Sequence, residues 1–213
     1  MRSVATALLA FALATPLAAQ APVELPPGWA LRLDPGQQGA PAPAPTGIMF
    51  MSMGSGFHVM SGPAAIYYRE DEPVTGAYTL SAKFSQTRSA GQEAYGLVLG
   101  GSDLQAYTQN YLYFLIRPAD GGILINHRTS DEAPRSIVAW TPSAAVKKQS
   151  GSGATSNELA VQVTADAVRF LVNGTEVRRL SRAELGGAST DGLVGVRINH
   201  NLELMVEGFG VRR

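Results

Sequence analysis

Polar residues with the potential for chemistry follow an apolar run that ends near residue 125. Asn126, His127 and Arg128 come first, and Asp131 and Glu132 follow shortly after them. Imidazole and carboxylate side chains are the groups that most often move protons in catalysis. If the protein is an enzyme, the candidate acid–base residues are therefore His127 with Asp131 or Glu132.

A row of tyrosines offers a different chemistry, the binding of a ligand without cleavage. Tyr107, Tyr111 and Tyr113 alternate with three apolar residues, which are Leu112, Phe114 and Ile116. Side chains alternate across a strand, so the apolar side is expected to face the core and the tyrosine side the outer surface. Rings with polar tips suit the faces and hydroxyl groups of sugars. The sequence thus predicts a glycan-type site formed by Tyr111, Tyr113, Arg117, His127, Arg128 and Trp140. The alternative is that the tyrosines only cover the sheet or pack under a loop.

Methionines concentrate at the start of the predicted domain. Met49, Met51 and Met53 alternate along the chain, and His58 and Met60 follow them. Thioether and imidazole groups are suitable ligands for Cu(I). Methionine also fills irregular gaps in apolar cores, and alternation would place the first three on one face of a strand. We predict the packing role, and the sequence assigns neither a metal nor a cofactor.

The elements that must position these residues are strands. Apolar residues alternate with polar ones at 78–84, 159–163 and 168–172, which is typical of half-buried strands. Asn173 and Gly174 then predict a two-residue hairpin turn, since both residue types tolerate positive φ.

Helix signals are scarce. Residues 181–184 have the spacing of a capping box and predict one short helical turn. The remainder reads as about a dozen short strands separated by Gly, Asn and Asp turns. The predicted fold class is all-β, a two-sheet antiparallel jelly-roll β-sandwich.

The N-terminus predicts export. Arg2, an apolar run over residues 4–15 and small residues beyond Pro16 are typical of a signal peptide. The run is too short to span a membrane, which takes about 20 apolar residues. The predicted organisation is a signal peptide at 1–20, a proline-rich N-terminal arm at 21–46 and a jelly-roll domain at 47–213. We expect a periplasmic or secreted protein without a membrane span.

Composition limits the classes of partner. The chain has 17 basic and 17 acidic residues and no cysteine. A balanced charge gives no electrostatic basis for binding nucleic acid. The absence of cysteine excludes disulfides and thiolate nucleophiles, so the fold must depend on its core.

The second half of the chain resembles the concanavalin A-like lectin/glucanase superfamily, and is most similar to exported bacterial 3-keto-disaccharide hydrolase-like domains. The runs that carry the resemblance are residues 111–117 (YLYFLIR), 120–125 (DGGILI), 157–161, 170–174 (FLVNG) and 191–197 (DGLVGVR). The resemblance covers roughly residues 56–211. It implies a jelly roll that binds or cleaves carbohydrate.

Glucanases of this superfamily carry catalytic carboxylates as Glu-x-Asp-x-Glu, and this sequence departs from that pattern. Here Glu203 and Glu207 flank Met205, so the central Asp is missing. On a flat strand the two glutamate Cα atoms lie about 13 Å apart. Retaining hydrolysis needs carboxyl groups about 5–5.5 Å apart. We therefore expect these glutamates to form a solvated face.

The preferred interpretation is an exported domain that binds a glycan or a cell-envelope polymer. One alternative is a glycoside-cleaving enzyme of the 3-keto-disaccharide hydrolase type. Another is a surface module that binds protein.

Overall fold

The computed structural model describes residues 23–35, 44–87, 91–150 and 154–213. The predicted signal peptide and residues 21–22 and 36–43 of the predicted arm lie outside these ranges. Within them the chain forms fourteen β-strands and no helix, and so none that is long and apolar enough to cross a membrane. The strands are β1 (Trp29–Leu33), β2 (Met49–Met53), β3 (Gly56–Ser61), β4 (Ala65–Arg69), β5 (Tyr78–Gln86), β6 (Tyr95–Ser102), β7 (Asn110–Arg117), β8 (Gly122–Arg128), β9 (Arg135–Pro142), β10 (Thr155–Val163), β11 (Ala167–Val172), β12 (Thr175–Ser181), β13 (Leu193–Ile198) and β14 (Leu202–Arg212).

The strands form two seven-stranded sheets. Sheet A has the order β1-β4-β13-β6-β7-β8-β9, and sheet B has the order β12-β11-β10-β5-β14-β3-β2. All neighbouring strands pair antiparallel. This arrangement confirms the predicted jelly-roll β-sandwich.

Aromatic contacts join the two sheets across the main core. Phe84 of β5 stacks on Tyr95 of β6, with ring centroids 5.1 Å apart. Phe114 of β7 meets Phe170 of β11 edge-on at 5.3 Å. All four side chains are fully buried. Each such burial stabilises the fold by about 1.5–3 kcal/mol.

Sheet A is buried on its outer side as well. A second apolar cluster lies on the side away from the main core and includes Ile66, Tyr68, Val98, Tyr111 and Leu115. Strands with two buried faces read as nearly continuous apolar runs, which explains the sequence of β7. Polar side chains on the outer side of this sheet are therefore largely shielded from water.

The hairpin prediction between β11 and β12 is confirmed. Asn173 and Gly174 both have positive φ, at 51° and 79°. Positive φ at both turn positions matches the right-handed twist of the flanking strands. Asn173 also donates from Nδ2 to the carbonyl of Ala145 at 2.8 Å, so the turn is tied to the loop between β9 and β10.

Two elements differ from expectation. The predicted arm contributes β1, which pairs with β4 and places Trp29 against Phe50 and Phe57 at 5.1 and 5.0 Å. The sandwich therefore begins before residue 47. The helical turn predicted at 181–184 is absent, because Ser181 ends β12 and residues 182–187 form a turn, although Ser181 does bond the Glu184 carboxylate through its backbone N–H and its hydroxyl.

Candidate binding face on sheet A

The tyrosines of β7 lie on the side that alternation predicts, but they are not exposed. Tyr111 and Tyr113 face away from the main core and are 0% and 4% exposed. Their ring centroids are 5.7 Å apart. The expectation of an open tyrosine platform is wrong, because polar side chains of neighbouring strands pack against these rings. Tyr107 precedes β7, lies in a turn and is 59% exposed.

A buried ion pair lies beside the two tyrosines. Arg197 of β13 makes two bonds to the carboxylate of Asp34, one of them from Nη1 to Oδ1 at 2.7 Å. The Arg197 guanidinium also lies 5.0 Å from the centre of the Tyr113 ring, and its Nη1 donates to the Tyr111 hydroxyl at 3.3 Å. The arginine side chain is only 7% exposed. Two-bond geometry with a carboxylate is the arrangement in which a buried guanidinium is best compensated.

Arg128 adds a second positive charge to this group. Its Nη2 atom is 4.0 Å from Asp34 Oδ2, and its Nη1 donates to the carbonyls of Ser130 and Glu132. Burial alone would raise the pKa of Asp34, but Arg197 and Arg128 more than reverse this and lower it. The carboxylate is therefore ionised, and one anion faces two cations. Asp34, Arg128 and Arg197 together carry one net positive charge in an environment largely shielded from water.

Three polar atoms of this region have no hydrogen-bond partner among the described residues. They are Nε of Arg128, Nε of Arg197 and Oδ1 of Asn126. Asn126 is anchored by its Nδ2, which donates to the Tyr113 hydroxyl at 2.9 Å. We name the set the Arg197 cluster, and its members are Asp34, Tyr111, Tyr113, Asn126, Arg128 and Arg197.

The edge of the cluster carries further paired polar groups. Asp131 Oδ1 accepts from Arg32 Nη2 at 2.7 Å and from Gln109 Nε2 at 2.5 Å. Glu132 accepts from the Tyr107 hydroxyl at 3.1 Å. Each carboxylate is thus already held by a donor.

The third acid–base candidate lies on the other side of the sheet. His127 is opposite Leu112, whose side chain is in the main core. Its Nε2 is 2.9 Å from Asn110 Oδ1, and its Nδ1 is 3.4 Å from Arg135 Nη2. Burial, and then the charge of Arg135, lower the pKa of His127. No hydrogen bond among the described residues joins His127 to either acidic candidate.

Arg117 and Trp140 form a separate group at the opposite end of β7. The Arg117 guanidinium lies 4.2 Å from the centre of the Trp140 ring and also pairs with Asp120. Trp140 is 37% exposed. Arg117 is six positions beyond Tyr111, which corresponds to about 20 Å along a strand. The structure therefore brings together Tyr111, Tyr113 and Arg128 of the predicted glycan site, and it places Arg117, Trp140 and His127 elsewhere.

The site predicted from the sequence did not include the ion pair between Arg197 and Asp34. Arg197 is a lone charge in the otherwise apolar strand β13, and that position was the available signal. Nothing in the sequence around Asp34 indicated a role in the site, because its proximity to Arg197 depends on the pairing of β1 with β4 and of β4 with β13.

The outer face of sheet B carries the glutamates and the methionines. Glu203 pairs with His58 at 3.2 Å and Glu207 with Lys83 at 3.0 Å, so the two carboxylates have separate partners on a solvated face. Met51 and Met53 are each 47% exposed. The prediction that the methionines fill gaps in the core is wrong, because the core side of β2 is occupied by Phe50 instead.

Solved structures share this architecture at low sequence identity. A carbohydrate binding module, CBM66 from Bacillus subtilis, matches with a TM-score of 0.63 at 9% identity, over 90% of this chain and 100% of that chain. A Bacillus subtilis protein of unknown function with a galectin-like fold matches with a TM-score of 0.58 at 11% identity, over 86% and 88% of the two chains. A candidate glycosyl hydrolase from Parabacteroides distasonis gives 0.55 at 12% identity, over 86% and 98%.

No protein-family model matches the sequence, and no curated protein matches it. The structural likeness establishes the fold alone, which is a two-sheet antiparallel jelly-roll β-sandwich.

Proposed function

We propose that this chain binds carbohydrate through the outer face of sheet A, with the Arg197 cluster as the centre of the site. The observation that carries the proposal is a set of three buried polar atoms, on Arg128, Arg197 and Asn126, that have no hydrogen-bond partner within the part of the chain that the structure describes. An unmet buried donor or acceptor costs about 1–3 kcal/mol. Sugar hydroxyl groups both donate and accept, so one monosaccharide can satisfy guanidinium and amide groups together.

The net charge of the Arg197 cluster indicates which class of sugar the site would bind. Two arginines face the single carboxylate of Asp34, which leaves one positive charge uncompensated within the cluster. A sugar with a carboxylate or another anionic substituent would neutralise that charge. We therefore favour an acidic glycan, or a cell-envelope polymer with acidic units, over a neutral one.

The burial of the cluster has a consequence for affinity. Both arginine side chains are less than one-tenth exposed, at 8% and 7%. A ligand would reach them through a local opening of the outer face. The apparent dissociation constant is then the intrinsic one divided by the fraction of molecules in the open state, so binding is weakened. We therefore expect weaker apparent binding than the same groups would give in an open site.

Export is part of the same proposal. Residues 1–20 have the features of a signal peptide. A periplasmic or secreted location would bring the domain into contact with envelope and extracellular polysaccharides. The shared fold with a carbohydrate binding module supports the architecture for this role.

Affinity electrophoresis of the mature chain in gels containing acidic and neutral polysaccharides tests the proposal. At least one acidic polysaccharide is expected to retard the protein. Arg128→Met should weaken that retardation at least tenfold, because the substitution keeps the aliphatic length and removes the guanidinium. Arg169→Met is the matched control, since Arg169 lies on sheet B and pairs with Glu176.

Two results would contradict the proposal. Either no polysaccharide retards the wild-type protein, or Arg128→Met and Arg169→Met behave alike. The protein is also incubated with a 3-keto-disaccharide, and cleavage of that substrate would instead identify an enzyme.

A further inference from the structure

The outer face of sheet B gathers methionines around one histidine. In the register of β2, β3 and β14, Met51 lies opposite His58, and His58 lies opposite Met205. Met49 lies opposite Met60 in the same way. We name this surface the methionine face, and its members are Met49, Met51, Met53, His58, Met60 and Met205. These are all the methionines of the chain except Met1.

The core does not account for this grouping. The core-facing residues of the same strands are Phe50, Phe57, Val59, Leu204 and Val206, and they are all buried. The methionines alternate with them and are half-buried or exposed. Exposed apolar side chains that cluster on one surface, rather than being scattered singly, mark a place of interaction.

The register places two thioethers on either side of one imidazole. Adjacent strands lie about 4.8 Å apart, and directly opposite Cβ atoms are about 4.5–5.5 Å apart. A methionine side chain has three rotatable bonds, so Met51 and Met205 can each lean toward His58 from opposite sides. The three side chains can therefore converge on one point above β3.

The histidine is oriented by a carboxylate. His58 Nε2 is 3.2 Å from Glu203 Oε1. When Nε2 carries the proton for this bond, Nδ1 has a free lone pair. A histidine that binds a metal commonly donates its other ring N–H to a carboxylate, which fixes the tautomer and makes the ring a better ligand.

We propose that the methionine face binds one Cu(I) ion, with His58 Nδ1 and the Sδ atoms of Met51 and Met205 as ligands. Soft thioethers with an imidazole select Cu(I), whereas Mg²⁺ and Ca²⁺ require several oxygen ligands. No group of three or more His, Cys, Asp and Glu residues suited to a metal occurs in the described part of the chain, so the thioethers are essential to this site. The site lies on the opposite sheet from the Arg197 cluster and is independent of glycan binding.

Anaerobic competition titration of the mature protein against the chromophoric Cu(I) chelator bicinchoninate tests the site. We expect the wild type to withdraw one equivalent of Cu(I). Met51→Leu combined with Met205→Leu should weaken binding at least tenfold, and His58→Ala should have a similar effect. Leucine has nearly the same volume as methionine, and thermal unfolding checks that each variant is folded.

His200→Ala is the matched control. His200 also lies beside a glutamate, with Nδ1 3.5 Å from Glu93 Oε2, but it is outside the methionine face. This variant should bind Cu(I) as the wild type does. A wild type that does not compete with the chelator would overturn the proposal, and so would wild-type affinity in the double leucine variant.

A second readout separates a defined site from general thioether binding. Ag(I) replaces Cu(I) without redox chemistry, and methionine methyl groups are observed by NMR with ¹³C labelling. We expect the Met51 and Met205 signals to shift and to saturate at one equivalent. Equal, unsaturated shifts of all five methionine signals of the face would contradict a single site.

Discussion

Asp34 and Arg197 are 163 residues apart in the sequence and form a two-bond ion pair on the outer face of sheet A. Asp34 directly follows β1, and Arg197 belongs to β13, with β4 between these strands. The backbone N–H of Asp34 also donates to the carbonyl of Ala64 at 2.8 Å. The pair therefore ties the edge strand to the centre of its sheet and holds the candidate binding groups in place.

Removing the carboxylate of this pair should destabilise the fold strongly. Asp34→Asn leaves the Arg197 guanidinium buried with reduced compensation, and loss of one partner of a buried pair costs about 3–5 kcal/mol. Asp120→Asn is the control, because the Asp120 side chain is 44% exposed in its pair with Arg117. An exposed pair contributes less than about 1 kcal/mol. Urea unfolding measures both, and equal losses would show that the buried pair has no special role.

Protonation of Asp34 at low pH should lower the free energy of unfolding. The folded-state pKa of Asp34 is below its ordinary value of 3.8, since the two arginines outweigh the effect of burial. Below about pH 4 the unfolded chain therefore takes up a proton that the folded chain does not. The stabilisation is present above that pH and is lost as the pH falls through the folded pKa. Urea unfolding at successive pH values should show a smaller decline for Asp34→Asn than for the wild type, and parallel curves would refute the assignment.

His127 should remain neutral in the folded protein below its ordinary pKa. Burial and the charge of Arg135 lower the pKa of this imidazole from 6.5. Because the unfolded chain takes up the proton first, the contribution of neutral His127 to stability is lost as the pH falls below 6.5. NMR titration of the ring measures the pKa, and Arg135→Met should raise it. A folded-state value at or above 6.5 would contradict the structure.

The two tryptophans should differ sharply in their importance for stability. Trp29 contacts Phe50, Phe57 and Phe209 with centroid distances of 5.1, 5.0 and 5.2 Å. Trp29→Ala should therefore cost about 3 kcal/mol or more. Trp140 is 37% exposed, so Trp140→Ala should cost much less. Chemical denaturation compares the variants, and similar midpoints would mean that β1 contributes little to the core.

Sequence reasoning recovered what depends on local pattern. The strict alternation of β5 and β10 and the Asn173-Gly174 turn each satisfy a local rule, and the structure follows them. It did not recover β1, because five residues between prolines have too little pattern to distinguish a strand from an extended arm. It also did not recover the Arg197 cluster or the methionine face. Both depend on strand order, which brings together residues far apart in the chain.

The pairing of β1 has a consequence for self-association. Four consecutive residues of β4, from Ala65 to Tyr68, are at most 2% exposed, so this strand is apolar on both faces. Without β1, the backbone of β4 would be an unpaired edge of the kind that recruits strands from other molecules. The short segment between the prolines thus covers the edge of β4, and its loss would leave that apolar strand open to strands of other molecules.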